Sequence, residues 1–276
     1  MQTGLLLVRK MVTYLFKAEL NYRSTTMKKT VLIVLAAIIT VSGLAQKVTV
    51  AVAANMQYAM NALKTKFEKQ TGIKTEVIIG ASGKLTQQIQ EGAPFDIFIS
   101  ADTKYPQTLW QAKLTSDTPK VYAKGVLVLW TARNDLKPEV NLQLLLMDNV
   151  KKIAIANPKT APYGFAAEEI LRHYKLYNTL QKKLVYGESI TQTNQFIMSQ
   201  AADIGFTAKS AVLSNEMRGK GSWVEIEHKA YSDIDQAAVI LKHGMETNRE
   251  ASEKFYNYLY SAEAKKIYKQ FGYLVK

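Results

Sequence analysis

From residue 47 onward, short β-rich runs alternate with stretches of helical periodicity, and this alternation limits the fold more than any other feature. Lys47–Ala53 is a run of β-formers, and residues 56–70 follow with Met56, Ala59, Met60, Leu63 and Phe67 at helical spacing. A strand at 75–79, the turn Gly80-Ala81-Ser82-Gly83, a helix at 84–91 and a buried strand at 95–99 continue the theme. Alternation of this kind builds parallel sheets through right-handed crossovers. Residues 121–130 break the rhythm with one long apolar strand, which suits a chain leaving one sheet to start another. A second set then repeats the pattern: strands at 152–156, 183–186 and 203–207, with helices at 165–174 and 190–200. A strand at 236–241 precedes two terminal helices, at 251–260 and 262–271. The expected class is α/β.

The first 45 residues stand outside this pattern. Met27-Lys28-Lys29 precedes an apolar run from Val31 to Ile39, and Gly43 and Ala45 place small residues at −3 and −1 of a cut after Ala45. A basic start, an apolar core shorter than the ~20 residues that span a bilayer, and a small-residue cleavage site form a secretory signal peptide. Residues 27–45 are therefore expected to be a signal peptide, and 1–26, which have no secretory logic, a gene-model extension. The chain carries a formal charge of +13. Five of those units belong to the first 45 residues, through Arg9, Lys10, Lys17, Arg23, Lys28 and Lys29 against Glu19. The rest are interleaved with acids, as at 64–69 and 246–254, so no basic stripe for nucleic acid remains. The chain has no cysteine, which removes disulfides, thiolate metal sites and a lipid attachment point. A periplasmic, unanchored monomer is expected.

The functional signal lies where strands end. In open parallel sheets ligands sit beyond the carboxyl ends of the strands, where the next helix offers free backbone N–H groups and a partial positive charge. Four junctions have suitable residues: Ala54-Asn55, Ala81-Ser82-Gly83, Ala161-Pro162-Tyr163-Gly164 and Glu188-Ser189-Ile190. Each alone is an ordinary helix cap. If the two halves face one another across a cleft, the four together make an anion site that needs no cation.

Several segments resemble a known family. They are Val-Ala-Ala-Asn-Met at 52–56, Gly-Ala-Ser-Gly-Lys at 80–84, Gly-Ala-Pro-Phe-Asp-Ile-Phe-Ile-Ser-Ala-Asp at 92–102, Ala-Asn-Pro-Lys-Thr-Ala-Pro-Tyr-Gly at 156–164 and Lys-Lys-Ile-Tyr-Lys-Gln-Phe-Gly-Tyr at 265–273. Over 47–276 the chain is similar to the periplasmic molybdate-binding proteins of ABC transporters. The resemblance implies a two-lobed type II periplasmic binding protein fold, each lobe a mostly parallel sheet flanked by helices, with two crossover segments as hinge. Lobe 1 is expected at 46–122 plus 236–276 and lobe 2 at 123–235. It further implies Asn55, Ser82, Tyr163 and Ile190 as molybdate ligands, with Ala54, Lys84 and Ala208 as possible additions. Many members carry a tyrosine where this chain has Ala208, so one phenolic donor is missing here. The implied partners are a membrane permease and its ATPase, with tungstate as a second ligand. No cofactor is expected, and molybdenum would enter only as the oxyanion, without a direct protein ligand.

The chemistry of the residues suits such a ligand. Molybdate is a tetrahedral dianion that accepts hydrogen bonds and donates none, so a dry cleft lined by N–H and O–H donors favours it over protonated phosphate. Ser82 Oγ would donate, and Asn55 could use its main-chain N–H, its side-chain amide or both. Sulfate has the same shape with shorter bonds, and a sulfate or other tetrahedral oxyanion carrier is the alternative. Lys84 reads more simply as a solvated first-turn lysine. No enzyme is indicated. Gly80-Ala81-Ser82-Gly83-Lys84 lacks the first glycine of a nucleotide phosphate loop, having Ile78 there, and His173, His228 and His243 are scattered. Asp96 and Asp102 flank an apolar strand and are assigned structural roles. The same fold could also serve a cytoplasmic effector sensor, which the signal peptide argues against. The tyrosines at 256, 258, 260, 268 and 273 are assigned to packing.

Overall fold

The structure, a computed structural model, describes residues 46–275. The expected extension at 1–26 and signal peptide at 27–45 lie outside the described residues. The described chain forms two five-stranded sheets, each covered by helices on both faces.

The elements run β1 (Lys47–Ala53), a single 3-10 turn (Ala54–Met56), α1 (Gln57–Thr71), β2 (Lys74–Gly80), α2 (Ser82–Gln90), β3 (Ile97–Ser100), α3 (Lys104–Gln111), β4 (Lys120–Gly125) and β5 (Leu127–Thr131). Then come β6 (Ile153–Ala156), α4 (Pro162–His173), α5 (Tyr177–Leu180), β7 (Leu184–Gly187), α6 (Ile190–Met198), β8 (Ile204–Ala208), α7 (Lys209–Val212) and β9 (Ser222–Glu225). The chain closes with β10 (Ile234–Ile240), α8 (Lys242–Thr247), α9 (Arg249–Leu259) and α10 (Ala262–Gln270).

The first sheet has the order β2-β1-β3-β10-β4 and the second β7-β6-β8-β5-β9. In each, the second strand of the order makes two parallel pairings, β1 with β2 and β3, and β6 with β7 and β8. The other two are antiparallel, β10 with β3 and β4, and β5 with β8 and β9. Four of the five strands in each sheet therefore run in one direction, and β10 in the first sheet and β5 in the second run against them, because a strand that crosses between lobes enters its sheet against the run of the βα units. Alternation along β1 sends Val48, Val50 and Val52 onto Met60, Leu63 and Phe67 of α1 and Phe255 of α9. Ala51 faces the opposite layer, with Leu85 and Ile89 of α2 and Leu109 of α3. Phe67 meets Phe255 edge to face, with centroids 4.9 Å apart. In the second lobe Leu127, Leu129, Ile153 and Ile155 pack on Ile170 and Leu171 of α4, while Val128 and Trp130 face Ile197 of α6.

The chain changes sheets twice, at Val126 and between Glu225 and Ile234. The lobe boundaries expected at 122/123 and 235/236 both fall inside strands of the first sheet. Lys124 still pairs with Asp235 and Gly125 with Ile234, so the first lobe keeps β4 to its end and β10 from its start.

Candidate functional site

Four loops meet between the lobes. At the end of β1 the chain turns through Ala54–Met56 after an extended Ala53, which puts Asn55 at the second position of a helical turn. Ser82 is the first residue of α2, after extended Ala81. On the facing lobe Pro162 occupies the first position of α4, where a missing N–H costs nothing, and Tyr163 the second. Ile190 opens α6 after extended Ser189. At all four the leading N–H groups have no intrahelical acceptor, and α1, α2, α4 and α6 turn their positive ends inward.

These termini meet at a cavity of about 10 Å³ lined by Ala53, Ala54, Asn55, Ala81, Ser82, Ala101, Ala161, Pro162, Tyr163 and Ile190. None of these carries a charge. Asn55, Ser82, Tyr163 and Ile190 are thus brought to one point, with Ala54 beside them. Lys84 and Ala208 are not in the wall. Lys84 lies at the rim, half-exposed, and pairs with the equally exposed Glu188 of the other lobe. Ala208 is fully buried at the end of β8, opposite Leu127, so its lack of a phenol leaves no gap in the lining.

The two polar side chains of the first lobe are committed differently. Ser82 Oγ accepts from the Ala101 N–H at 3.1 Å, which leaves its own proton free to donate. The Asn55 amide donates to Gln236 Oε1 at 2.8 Å and to the Tyr273 hydroxyl at 3.1 Å, so it is turned into the protein. Asn55 thus offers the cavity its main chain and not its amide. The Tyr163 phenol also points inward, toward Asn55 and Gln236, and burial pushes its pKa well above the ordinary tyrosine value.

Contacts across the cleft hold the lobes together. Gly83 N donates to Thr160 O at 2.9 Å, a close approach in which a Cβ would lie 2.7 Å from the Tyr105 hydroxyl and 3.1 Å from the Thr160 Cα. Tyr105 donates to Lys159 O at 3.1 Å, and Thr191 Oγ1 to Gln57 Oε1 at 2.8 Å. Asp96 and Asp102 have structural partners. Asp96 accepts from the Thr49 N–H, Asn248 and His243, and Asp102 from Ser100 and the Tyr105 N–H at the start of α3. Burial raises the Asp102 pKa despite these bonds. No group of three metal-ligating side chains occurs among the described residues.

The sequence reading missed Gln236, Ser210 and the polar role of Tyr273. Its one available clue was a glutamine heading the otherwise apolar run at 236–241.

The model of the bacterial extracellular solute-binding proteins matches residues 48–274. The chain belongs to this family. As a solute-binding protein it is 37% identical over 230 residues to the molybdate-binding protein ModA of Azotobacter vinelandii, covering 83% of this chain and 90% of the relative. It is 36% identical to the molybdate-binding protein ModA of Rhodobacter capsulatus, over 84% and 90% of the two chains. The solved periplasmic molybdate-binding protein of A. vinelandii superposes with a TM-score of 0.78 at 32% identity, covering 83% of this solute-binding protein and 99% of that chain.

Proposed function

We propose that this solute-binding protein is the substrate-binding component of an ABC importer, carrying molybdate, and tungstate as its near-isostere, to a membrane permease energised by an ATPase. The observation that carries the proposal is the charge-free cavity shared by four helix starts. A tetrahedral dianion with no protons needs donors on every side and no acceptor. Ser82 Oγ and the main-chain N–H groups of Asn55, Ser82, Tyr163 and Ile190 supply them, with the helix ends adding favourable potential. No cation is needed. Two relatives at 37% and 36% identity are named for molybdate, which supports molybdate over sulfate.

Asn55 and Ser82 belong to the first lobe and Tyr163 and Ile190 to the second, so either lobe alone offers half of the set. Closure completes the coordination, and the anion draws the lobes together by its higher affinity for the closed state. In our reading residues 27–45 export the chain, the mature protein works as a periplasmic monomer without a lipid anchor, and it neither holds a cofactor nor turns over a substrate.

The test is a melting-temperature screen of the protein from residue 46 against molybdate, tungstate, sulfate, phosphate and chromate, followed by calorimetry. A ligand at a hundred times its Kd stabilises the folded state by ~2.7 kcal/mol. Molybdate and tungstate are expected to raise the melting temperature strongly and sulfate weakly. A shift with sulfate alone would reassign the protein to the other oxyanion class, and turnover of any substrate would overturn the carrier role.

A further inference from the structure

Behind the cavity wall lies a polar cluster that, apart from Asn55 itself, is not part of the lining. Asn55, Ser210, Gln236 and Tyr273 are all at least nine-tenths buried. The Asn55 amide donates to Gln236 Oε1 and to the Tyr273 hydroxyl. Its carbonyl accepts from Ser210 Oγ at 2.7 Å and from the Tyr273 hydroxyl at 2.9 Å. One residue is therefore gripped on both its side chain and its main chain, by groups from β10, from the segment after α10 and from α7 of the other lobe.

Two features show that the backbone is shaped around this cluster. The pairing of β10 with β4 slips between Gln236 and Ala237, which leaves Tyr122 of β4 as the extra, unpaired residue, and its hydroxyl lies 3.5 Å from Gln236 Oε1. Gly125, the last residue before the first crossover, has no room for a Cβ. It would fall against the Tyr163 hydroxyl and 2.7 Å from Gln236 Nε2. An apolar residue at 236 would suit the sheet better, because a buried amide is costly unless every partner is present.

We infer that Gln236, Tyr273 and Ser210 are positioning residues for the anion site, fixing the Ala54–Met56 turn so that its free N–H groups stay aimed at the cavity. The inference rests on the anion-binding reading above and deepens it. Without the grip, the turn can rotate its N–H groups out of line, since half of the residues lining the cavity beside it are alanines that cannot hold it by packing shape alone. Ser210 comes from the second lobe, so the grip also registers the position of that lobe, and Tyr163 adds a second inter-lobe wall to it.

The experiment compares wild type with Tyr273→Phe, Gln236→Met, Ser210→Ala and Ser210→Thr by molybdate calorimetry and stopped-flow dissociation, alongside melting of the ligand-free proteins. The first three are expected to bind molybdate about three- to tenfold more weakly through faster dissociation. The double variant of 236 and 273 should lose less than the product of the single losses, because both act through Asn55. Ser210→Thr keeps its hydroxyl and should restore wild-type binding. A merely structural cluster would lower the ligand-free melting temperature and leave the dissociation rate alone. Unchanged molybdate affinity and dissociation in folded Tyr273→Phe and Gln236→Met overturns the inference while the functional reading stands. A wild type that binds none of the five anions overturns that reading, and the inference with it.

Discussion

The Asn55 side-chain amide donates to Gln236 Oε1 at 2.8 Å and is thereby turned away from the cavity that its own backbone lines. Asn55→Ala is therefore expected to lower stability by about 1–3 kcal/mol, the cost of leaving buried partners unpaired. It should still bind molybdate measurably, because the main-chain N–H survives. Denaturant melts and calorimetry on the same preparation separate the two effects. Complete loss of binding in a folded variant would mean that the amide itself reaches the anion.

Ser82 is expected to behave in the opposite way. Its Oγ accepts from the Ala101 N–H, so the hydroxyl proton is available to the ligand. A hydrogen bond to a charged group is worth about 1.5–3 kcal/mol, and Ser82→Ala should weaken molybdate binding tenfold or more. Calorimetry giving wild-type affinity would remove Ser82 from the ligand set.

Gly125→Ala would press a methyl group against the Tyr163 hydroxyl and Gln236 Nε2, both deep inside the protein. Overpacking of this kind costs about 1–3 kcal/mol. Lower denaturation midpoints with weaker molybdate binding are expected. A variant as stable as wild type would show that the crossover can shift at no cost.

The ion pair of Lys84 with Glu188 crosses the mouth of the cleft, with both side chains half-exposed. Exposed pairs contribute little and are screened by salt. Lys84→Gln should weaken molybdate binding less than about threefold at low ionic strength, and the difference should disappear near 1 M salt. A tenfold loss that persists in salt would put Lys84 in direct contact with the anion.

Asp203 accepts from the Lys151 and Lys152 N–H groups at 2.7 and 2.9 Å and pairs with Arg133. Its partial burial alone would raise the pKa, but the bonds from Lys152, Lys151 and Arg133 outweigh it and hold the carboxyl below its usual range. A carboxylate with a depressed folded pKa adds stability that is present above the unfolded value and lost as pH falls through the folded one. Asp203→Asn should therefore be less stable than wild type at pH 7, with the gap narrowing below about pH 4. A gap that stays constant from pH 7 to pH 2 would place its origin elsewhere.

The fold and the site were legible in the sequence to different depths. Asn55, Ser82, Tyr163 and Ile190 stand at strand-to-helix junctions, which local periodicity and turn residues reveal, and the structure gathers all four at one cavity. Strand direction is not a local property, so the antiparallel entries of β5 and β10 were not visible, and β9 is too short and too exposed to leave a periodic trace. The commitment of the Asn55 amide was hidden for a related reason. Its partners Gln236 and Tyr273 lie 181 and 218 residues away along the chain. Nothing near position 55 announces them. Ala208 shows the converse: the missing tyrosine was visible, but only the backbone course shows that Ala208 lies outside the wall.

The sheet order also sets a timetable for synthesis. Among the strands of the first sheet, β4 pairs only with β10, and more than a hundred residues separate the two. The second sheet is built entirely from the chain between them. As the polypeptide emerges from its N-terminal end, the second lobe can be complete while β4 still has an open edge waiting for β10. Contacts of such long sequence separation form late. The pocket draws on both lobes, so it is among the last features to assemble, and a partly made chain has no means of capturing its anion early.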